Sequence, residues 1–273
     1  MRLLTGGYKE SQYGNLIKPV EDLTACELIC QVGNPLRSSH RSTVPGNERY
    51  FGMDTLLEYF ENNPGRLIHK WIHYFEVYER HLAKFRNMPV NLLEIGVFQG
   101  GSLQMWKWYF GEQSRITGFD VDPRCVAFEE DRVDVVLGDQ SNREDLARLV
   151  SGYGPFDVII DDGGHRMDQQ VISFEVLFEG LTGNGVYICE DLHTSYWTDY
   201  GGGYRHLDTF VEFAKGKVDA LNAWHSKDSE SFVIDAVTRT TQSIHFYDSV
   251  AVFEKRPMVP PTVKMTGEPA PGF

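Results

Sequence analysis

The sequence predicts an α/β fold: a doubly wound, mostly parallel sheet of seven strands, with an antiparallel last strand and an N-terminal helical elaboration. Two observations carry this prediction. From about residue 90, short apolar runs alternate with helical segments, which is typical of strand–helix–strand units joined by right-handed crossovers. Beyond about residue 222 the alternation ends in two strand-like runs, SFVIDAVTR and SIHFYDSVAVFEK, which predict an antiparallel edge.

Three helices are predicted before the sheet begins, at about 20–32, at 54–61 and at 67–86. The third helix rests on apolar residues at helical spacing, namely Ile68, Trp71, Ile72, Phe75, Tyr78 and Leu82. Their aromatic rings are expected in the core rather than around a ligand. The strands predicted after these helices are VNLLEIG, RITGFDVD, VDVVLGD, FDVIIDD and GVYICEDL. The helices predicted between them are SLQMWKWYFG, a short helix after RITGFDVD, NREDLARLV and HRMDQQVISFEVLFEG.

The chain divides into three parts by composition. Residues 1–65 are predicted to form a helical extension, residues 66–256 the main α/β domain, and residues 257–273 a proline-rich tail that is extended or disordered. In the extension, the polar stretch VGNPLRSSHRSTVPGNERY is either a lid over a site or a solvated loop. Aromatic-rich helices and a proline-rich arm suit contacts between chains, so we expect a homo-oligomer, a dimer or higher.

The composition is that of a packed globular protein, with 41% hydrophobic and 13% aromatic residues among 273. No apolar run reaches the roughly 18 residues that a membrane-spanning helix needs. The N-terminal MRLLTGGYKESQYG lacks the apolar core of a secretory signal, and the four cysteines are scattered, so we expect a cytoplasmic protein. A formal net charge of −13 disfavours nucleic acid as a partner, because a negative surface repels phosphates.

The first strand ends in an acid and a glycine-containing loop, Glu94 to Ser102. Ligands of open parallel sheets bind beyond the carboxyl ends of the strands, and Gly96 and Gly100 allow the backbone to pass close to one. The spacing E-x-G-x-x-x-G departs from the G-x-G-x-x-G pattern that binds dinucleotides. An acid here suits a cofactor with an amine and a sulfonium better than one with a pyrophosphate; a Rossmann-type dehydrogenase is the alternative.

Acids also end the second and third strands. Asp120 or Asp122, in GFDVDP, is placed to accept hydrogen bonds from ribose hydroxyls. Asp139 and Gln140, in LGDQSN, are placed to meet an adenine. A solvated turn or a helix cap explains any one of these acids, but three consecutive strands that end in acids favour a nucleoside-containing ligand.

Two acid pairs follow, with Asp161 and Asp162 ending the fourth strand and Glu190 and Asp191 ending the fifth. Because adjacent strands lie about 4.8 Å apart, we expect Asp162, Glu190 and Asp191 to converge. Converging carboxylates repel one another unless a cation lies between them, and an all-oxygen set favours a hard ion, Mg²⁺ first and Mn²⁺ or Ca²⁺ next. Capping of the next helix explains one acid of the first pair at most.

His165 follows Asp162 across two glycines that let the loop turn sharply. It is a candidate general base beside the metal, because a neutral imidazole can accept a proton from a hydroxyl that the metal holds. A fourth metal ligand and a surface histidine are the alternatives.

These features resemble the class I S-adenosylmethionine-dependent methyltransferases, whose fold is Rossmann-like. The resemblance rests on E-x-G-x-x-x-G, the acid that ends strand two, GDQ after strand three and the closing antiparallel strand, and it covers roughly residues 66–255. It implies S-adenosylmethionine as cofactor, with methionine-end contacts at Glu94, Gly96 and Ser102, a ribose contact at Asp120, and adenine contacts at Asp139 and Gln140. Gly100 and Asp161 complete the set that is expected on the cofactor side.

Two segments narrow the resemblance. DGGH at 162–165 and EDLHTSYW at 190–197 are similar to the D-G-x-H and E-D-x-x-T-x-Y-W segments of the macrocin- and mycinamicin-type sugar O-methyltransferases. This implies Mg²⁺ bound by Asp162, Glu190 and Asp191, with His165 as the base. It also implies a sugar with adjacent hydroxyls as substrate, in a glycoside, an oligosaccharide or an antibiotic deoxysugar. The alternatives are a metal-dependent O-methyltransferase of a catechol-like vicinal diol and a non-catalytic cofactor-binding accessory protein.

Overall fold

The computed structural model describes residues 53–228 and 230–272, and this part of the chain contains one sheet of seven strands. The strands are β1 (Asn91–Ile95), β2 (Arg115–Asp120), β3 (Val133–Leu137), β4 (Phe156–Asp161), β5 (Leu181–Cys189), β6 (Thr241–Tyr247) and β7 (Val250–Lys255). Their order is β3-β2-β1-β4-β5-β7-β6. Strands β1 to β5 pair in parallel, and β7 is antiparallel to β5 and β6. The predicted architecture is confirmed.

Helices cover both faces of this sheet. They are α1 (Leu56–Glu61), α2 (Tyr74–Leu82), α3 (Gly101–Phe110), α4 (Arg143–Tyr153), α5 (Met167–Leu177), α6 (Phe210–Asn222) and α7 (Ala236–Thr240). Short 3₁₀ segments lie at Ala83–Phe85, Pro123–Phe128, Leu192–Tyr196, Thr198–Tyr200 and Ala223–His225. Side chains set several helix starts: Thr55 forms a capping box with Glu58 at α1, and Asn142 accepts two backbone N–H groups at α4.

Side chains alternate along each strand between two apolar layers, because successive residues point to opposite sides of a sheet. On β1, Leu92 packs in the layer with α1, α2 and α3, which we call the α2 face. Leu93 packs in the layer with α4, α5 and α6, which we call the α5 face. On β4, Ile160 and Ile159 divide in the same way. The same alternation therefore shows to which face a residue at the end of a strand points.

The helix predicted at 67–86 is wrong over its first seven residues. Helix structure begins only at Tyr74, and residues 67–73 form no helix or strand. Trp71, whose ring is predicted in the core, is 53% exposed, and Ile72, placed on the apolar face of the predicted helix, is 56% exposed. The physical reason is a close backbone contact, because a Cβ on Gly101 at the start of α3 would lie only 2.3 Å from the Leu67 carbonyl oxygen. This glycine lets the segment pass close over the start of α3.

A second predicted element is also wrong, since the run SFVIDAVTR forms no strand. Its last residues begin α7, which Asp235 caps, and both edge strands come from the following TQSIHFYDSVAVFEK. The predicted helix at about 20–32 and the polar stretch VGNPLRSSHRSTVPGNERY lie outside the described residues.

The two ends of the described chain differ in packing. At the N-terminal end, residues 53–65 include α1, which packs on the α2 face through Leu56 and Tyr59. At the other end, residues 256–272 form no helix or strand. Within the described ranges, no helix has the length and apolar character to cross a membrane. The predicted division of the chain at 65/66 and 256/257 stays a prediction.

A buried polar contact holds α2 against the edge of the sheet. His81 is 3% exposed, with Nδ1 2.9 Å from Glu254 Oε1 on β7 and Nε2 2.8 Å from the Tyr247 hydroxyl on β6. Burial lowers the pKa of His81, and the hydrogen bond with Glu254 partly opposes this effect. The folded chain therefore favours the neutral ring.

We expect His81 to make the protein less stable in acid. Because its pKa is lower in the folded chain than in the unfolded chain, its stabilising effect is present above the ordinary pKa of about 6.5 and is lost as the pH falls. His81→Gln keeps a side chain that can bond both partners but does not titrate. Urea unfolding at about pH 7.5 and about pH 5.5 should show the larger loss for the wild type, by up to about 1.4 kcal/mol per pH unit. Equal losses in both proteins would contradict this role.

Candidate active site

A cavity of about 840 Å³ opens at the carboxyl ends of the parallel strands, next to the point between β1 and β4 where the strand order reverses. Doubly wound sheets bind their ligands at this position. Nine predicted site residues line the cavity: Gly96, Ser102, Asp120, Asp139, Gln140, Asp162, His165, Glu190 and Asp191. Glu94, Gly100 and Asp161 do not line it.

Three acids lie on the α2 face at the ends of neighbouring strands. Glu94 on β1 follows the alternation of Leu92, and Asp162 and Glu190 follow that of Ile160 and Ile188. Ile160 pairs with Ile188, so Asp162 and Glu190, each two residues further on, end β4 and β5 side by side. The register of the sheet thus brings like charges together.

The ammonium group of Lys70 lies among these three acids. Its Nζ is 2.7 Å from Asp162 Oδ2, 2.9 Å from Glu190 Oε2 and 3.6 Å from Glu94 Oε1. The Lys70 side chain is 2% exposed, and Glu94 and Glu190 are completely buried. Lys70 belongs to segment 67–73, which forms no helix or strand and carries it over the strand ends. We call these four residues the acid–lysine cluster.

Charge and burial oppose each other in this cluster. Burial alone would lower the pKa of Lys70, but the carboxylates of Asp162 and Glu190 raise it well above its ordinary value. Burial raises the pKa of Glu190, and the positive charge of Lys70 opposes that effect. Burial raises the pKa of Glu94 in the same way. Lys70 is therefore charged, and it stabilises carboxylates that burial disfavours.

Two tyrosines one turn apart on α2 complete the contacts of the acids on β5. The Tyr78 hydroxyl donates to Glu190 Oε1 at 2.6 Å, and the Tyr74 hydroxyl donates to Asp191 Oδ1 at 2.7 Å. Both oxygens of Glu190 are thus engaged, by Tyr78 and by Lys70. Asp191 keeps its Oδ2 turned toward His165.

A second group, Asp162, His165 and Asp191, faces the cavity. One ligand atom from each residue lies within 4.8 Å of the others. His165 Nε2 is 3.4 Å from Asp191 Oδ2 and 4.0 Å from Asp162 Oδ1. The Nδ1 atom of His165 is buried and has no hydrogen-bond partner among the described residues. Carboxylate oxygens are the ligands that Mg²⁺ prefers, so this group fits a hard divalent cation.

The backbone is strained at two of these residues. His165 and Asp191 each have a φ of 55°, in the left-handed region that costs a non-glycine residue on the order of 1–2 kcal/mol. One side chain holds both, because the Thr194 hydroxyl lies 3.0 Å from the His165 carbonyl oxygen and 2.8 Å from that of Asp191. The two side chains are therefore positioned together.

The loop after β1 closely approaches the end of β4. Gly96 has a φ of 90°, and a Cβ there would lie 2.0 Å from the carbonyl oxygen of Asp162. Asp120 shapes the same loop, because its Oδ2 accepts the backbone N–H groups of Val97 at 2.8 Å and Phe98 at 3.3 Å. The Asp120 carboxylate thus orders the turn and also lines the cavity.

Gln140 and Asp161 join the loops after β3 and β4. Gln140 Nε2 donates to Asp161 Oδ1 at 2.6 Å, and its Oε1 accepts the Gly164 N–H at 3.0 Å. Asp161 points to the α5 face, where Tyr187 donates to its Oδ2 at 2.9 Å and burial raises its pKa to about 7. Asp161 therefore anchors the loop from behind, whereas Asp139 is exposed at the cavity.

Glu94 is likewise hydrogen-bonded within the protein, beneath the cavity lining. Its carboxylate accepts the Ser102 hydroxyl at 2.7 Å and the Trp106 indole N–H at 3.0 Å. Gly100, with a φ of 70°, faces the Phe128 ring, and a Cβ there would lie 2.8 Å from the ring. The structure therefore brings Ser102 to the cavity and keeps Glu94 and Gly100 beneath it.

Trp71 lines the cavity, and two further rings, His193 and Trp197, continue from it. Trp71 and Trp197 are 53% and 51% exposed. The His193 ring contacts both, with centroids 5.9 Å from Trp71 and 4.6 Å from Trp197. We call these three residues the aromatic row; they present apolar surface next to a group of carboxylates.

Sequence reasoning missed three residues of this site. When residues 67–73 are taken as helical, Lys70 is not expected near the acids. Tyr74 and Tyr78 are buried, which suggests a purely apolar role, but their hydroxyls reach the acids. The alternation along the strands is the signal that could have found them. The alternation places Glu94, Asp162 and Glu190 on one face of the sheet. The segment that covers this face must therefore supply hydrogen-bond donors and a positive charge.

Comparison with known proteins supports the resemblance. No protein-family model matches the chain. Among curated proteins, the chain is similar to 8-demethyl-8-alpha-L-rhamnosyl tetracenomycin-C 2'-O-methyltransferase of Streptomyces olivaceus, at 39% identity over 197 residues. It is also similar to demethylmacrocin O-methyltransferase of Streptomyces fradiae, at 36% over 200 residues, and to mycinamicin VI 2''-O-methyltransferase of Micromonospora griseorubida, at 34% over 196 residues.

These matches cover 68% of this chain and 52%, 50% and 49% of the three relatives, so the chain spans about half the length of the curated relatives it matches. A solved structure is similar as well: the MycE methyltransferase of the mycinamycin biosynthetic pathway, in complex with Mg, SAH and mycinamycin VI. It shares 32% identity with a TM-score of 0.65, over 74% of this chain and 53% of that one. The predicted resemblance, in fold and in sequence, is confirmed.

We expect Gly96→Ala to disrupt the approach of the first loop to Asp162. The added Cβ would clash with the Asp162 carbonyl oxygen, and the residue would keep an unfavourable φ, so the free energy of unfolding should fall by about 2–4 kcal/mol. Gly216→Ala in α6 is the control: it meets no atom outside its own helix within 4 Å and should stabilise by about 0.5–1 kcal/mol. Urea unfolding measures both, and an unchanged Gly96→Ala stability would refute the close packing described.

Proposed function

We propose, from the kinship of this chain with the macrocin- and mycinamicin-type class I methyltransferases, that it is an S-adenosylmethionine- and Mg²⁺-dependent O-methyltransferase of a sugar hydroxyl. The sugar belongs to a glycoside, an oligosaccharide or an antibiotic deoxysugar. The observation that carries the proposal is the meeting of Asp162, His165 and Asp191 at the cavity, beside the Gly96 loop. Cation ligands and a proton acceptor then lie next to a cofactor cavity.

S-adenosylmethionine supplies an electrophilic methyl group on a sulfonium. Gly96 and Ser102 line the part of the wall where the methionine end would lie. Asp120 lies at the end of β2 for the ribose, and Asp139 and Gln140 at the end of β3 for the adenine. Because Asp120 and Gln140 already have bonds within the protein, the cofactor would meet groups that are held in place before it binds.

Asp162 and Asp191 would hold Mg²⁺ through the carboxylate oxygens that lie near His165. Glu190 completes the expected ligand set, although Tyr78 and Lys70 now donate to its two oxygens. When bound, Mg²⁺ supplies a Lewis acid that makes a coordinated hydroxyl more acidic.

His165 would accept the proton of the acceptor hydroxyl at Nε2, the ring atom that faces Asp162 and Asp191. Thr194 keeps the backbone of His165 and Asp191 in the strained conformation that directs both side chains to one place. Methyl transfer depends mostly on alignment of the attacking oxygen with the methyl carbon, so this fixed placement contributes directly to the rate.

The aromatic row suits the acceptor. Trp71 and Trp197 expose about half of their surface, and Trp71 lines the cavity, so a sugar ring could lie its C–H face on the Trp71 indole while its hydroxyls reach the carboxylates. An apolar aglycone would extend over the same surface. The cytoplasmic location and the homo-oligomeric assembly stay predictions.

The proposal is tested by transfer of labelled methyl from S-adenosylmethionine to a panel of mono- and oligosaccharides, deoxysugar glycosides and a catechol. We expect transfer to a sugar hydroxyl that EDTA abolishes and added Mg²⁺ restores. Full transfer in chelator would rule out the metal, and transfer to the catechol alone would favour the vicinal-diol alternative.

We expect His165→Ala to lower turnover by about 10²–10⁴-fold, because the acceptor hydroxyl loses its proton acceptor. Calorimetry should show S-adenosylmethionine binding close to that of the wild type, since His165 lies at the acceptor end. His225→Ala, at an exposed position in a 3₁₀ segment away from the cavity, is the matched control and should keep wild-type turnover. A His165→Ala enzyme at near wild-type rate would remove this residue from the base role.

A further inference from the structure

Lys70 and the expected metal site depend on the same two acids. Asp162 and Glu190 belong to the proposed Mg²⁺ ligand set, yet one oxygen of each lies within 2.9 Å of the Lys70 Nζ. Two cations that approach the same carboxylates repel each other, and the repulsion is strong in a buried site. Glu190 already has both of its oxygens engaged, by Lys70 and by Tyr78, so a metal that binds Glu190 must compete with the ammonium group.

We propose that Lys70 is the internal counter-ion of the metal-free protein: it competes with Mg²⁺ for Asp162 and Glu190 and withdraws toward Glu94 when the metal binds. This inference rests on the proposed function, which it deepens by naming the residue that sets the affinity for the metal. Lys70 acts here as a positioning residue, because it touches the acids rather than the reacting atoms.

The requirement for a counter-ion follows from the sheet. Glu190 is completely buried, and Asp162 is 20% exposed at the end of the adjacent strand on the same face. Two such carboxylates without a cation would pay both desolvation and mutual repulsion. Tyr78 donates one hydrogen bond to Glu190 but brings no charge. Within the described residues, Lys70 is the ammonium or guanidinium group that contacts them.

The structure also offers Lys70 a place to withdraw to. Glu94 is a third buried carboxylate, and its Oε1 lies 3.6 Å from the Lys70 Nζ. A shift of under about 1 Å would make that contact a normal hydrogen bond. Lys70 lies in segment 67–73, which forms no helix or strand, so the shift breaks no helix or strand hydrogen bonds. The charge stays paired while the hydrogen bonds of Lys70 to Asp162 and Glu190 lengthen in favour of the metal.

The test is calorimetric titration of Mg²⁺ into the metal-free full chain, with thermal unfolding in the absence and presence of Mg²⁺. Lys70→Met and Lys70→Gln remove the competing charge, so each should bind Mg²⁺ at least about tenfold more tightly than the wild type. Without metal both should unfold at lower temperature, and saturating Mg²⁺ should recover most of the difference. Lys70→Arg keeps the charge and should bind no more tightly than the wild type.

Lys107→Met is the matched control. Lys107 on α3 is partly buried and pairs with one carboxylate, Glu130 at 3.1 Å, but it lies outside the cavity and the acid–lysine cluster. Its loss should leave the Mg²⁺ affinity unchanged. Tighter binding in this variant as well would mean that any lost positive charge improves metal binding, and would overturn the specific role of Lys70.

Each outcome decides the proposal. Mg²⁺ affinity in both neutral variants that equals or falls below that of the wild type overturns it. If neither variant folds without metal, recovery of the native circular dichroism by Mg²⁺ supports it, and failure to recover overturns it. A wild type that binds Mg²⁺ and methylates sugars while Lys70→Met binds no more tightly refutes this inference alone. A wild type that neither binds Mg²⁺ nor transfers methyl refutes the proposed function itself.

Discussion

Carboxylates that end adjacent parallel strands on the same face cannot be buried together without positive charge, and the site is arranged around this constraint. The pairing of Ile160 with Ile188 places Asp162 beside Glu190, so the strand register alone brings these two carboxylates together. The segment 67–73 and α2 cover that face with Lys70, Tyr74 and Tyr78, which provide the charge and two hydroxyl donors. Segment 67–73 and α2 thus supply the positive charge and the hydrogen-bond donors that the buried carboxylates at the strand ends require.

Much of the fold and the identity of the acids could be predicted from the sequence, because both depend on local patterns. The alternation of apolar runs and helical segments determines a mostly parallel sheet, and parallel strands bring their carboxyl ends to one edge. Asp120, Asp139, Asp162 and Asp191 therefore meet at one cavity. What this reasoning does not yield is which acids face the ligand. Glu94 and Asp161 turn inward and are bound by Ser102, Trp106, Gln140 and Tyr187.

Lys70 could not be predicted, because tertiary contacts override the local pattern around it. The spacing of Ile68, Trp71 and Ile72 fits one face of a helix, but Gly101 lets the backbone of this segment pass close over the start of α3. Trp71 then becomes exposed surface beside His193 rather than core. In SFVIDAVTR, the cap at Asp235 likewise starts a helix where the β-branched residues favour a strand. In both cases the backbone conformation follows a contact with one particular residue, Gly101 in the first and the capping Asp235 in the second, rather than the local hydrophobic pattern.

The irregular pairing of β5 with β4 has a consequence for changes in chain length. Phe156 pairs with Leu181 but Val158 pairs with Val186, so β5 carries an excursion around the exposed Gly183 and Asn184 before it regains its register. An insertion there would lengthen a surface excursion and leave the pairing beyond it intact. A one-residue insertion between Val186 and Cys189 would turn Glu190 toward the α5 face, away from Lys70 and Tyr78. The side of Val186 that leads to Glu190 therefore has a fixed length, whereas the excursion before it does not set the orientation of any acid.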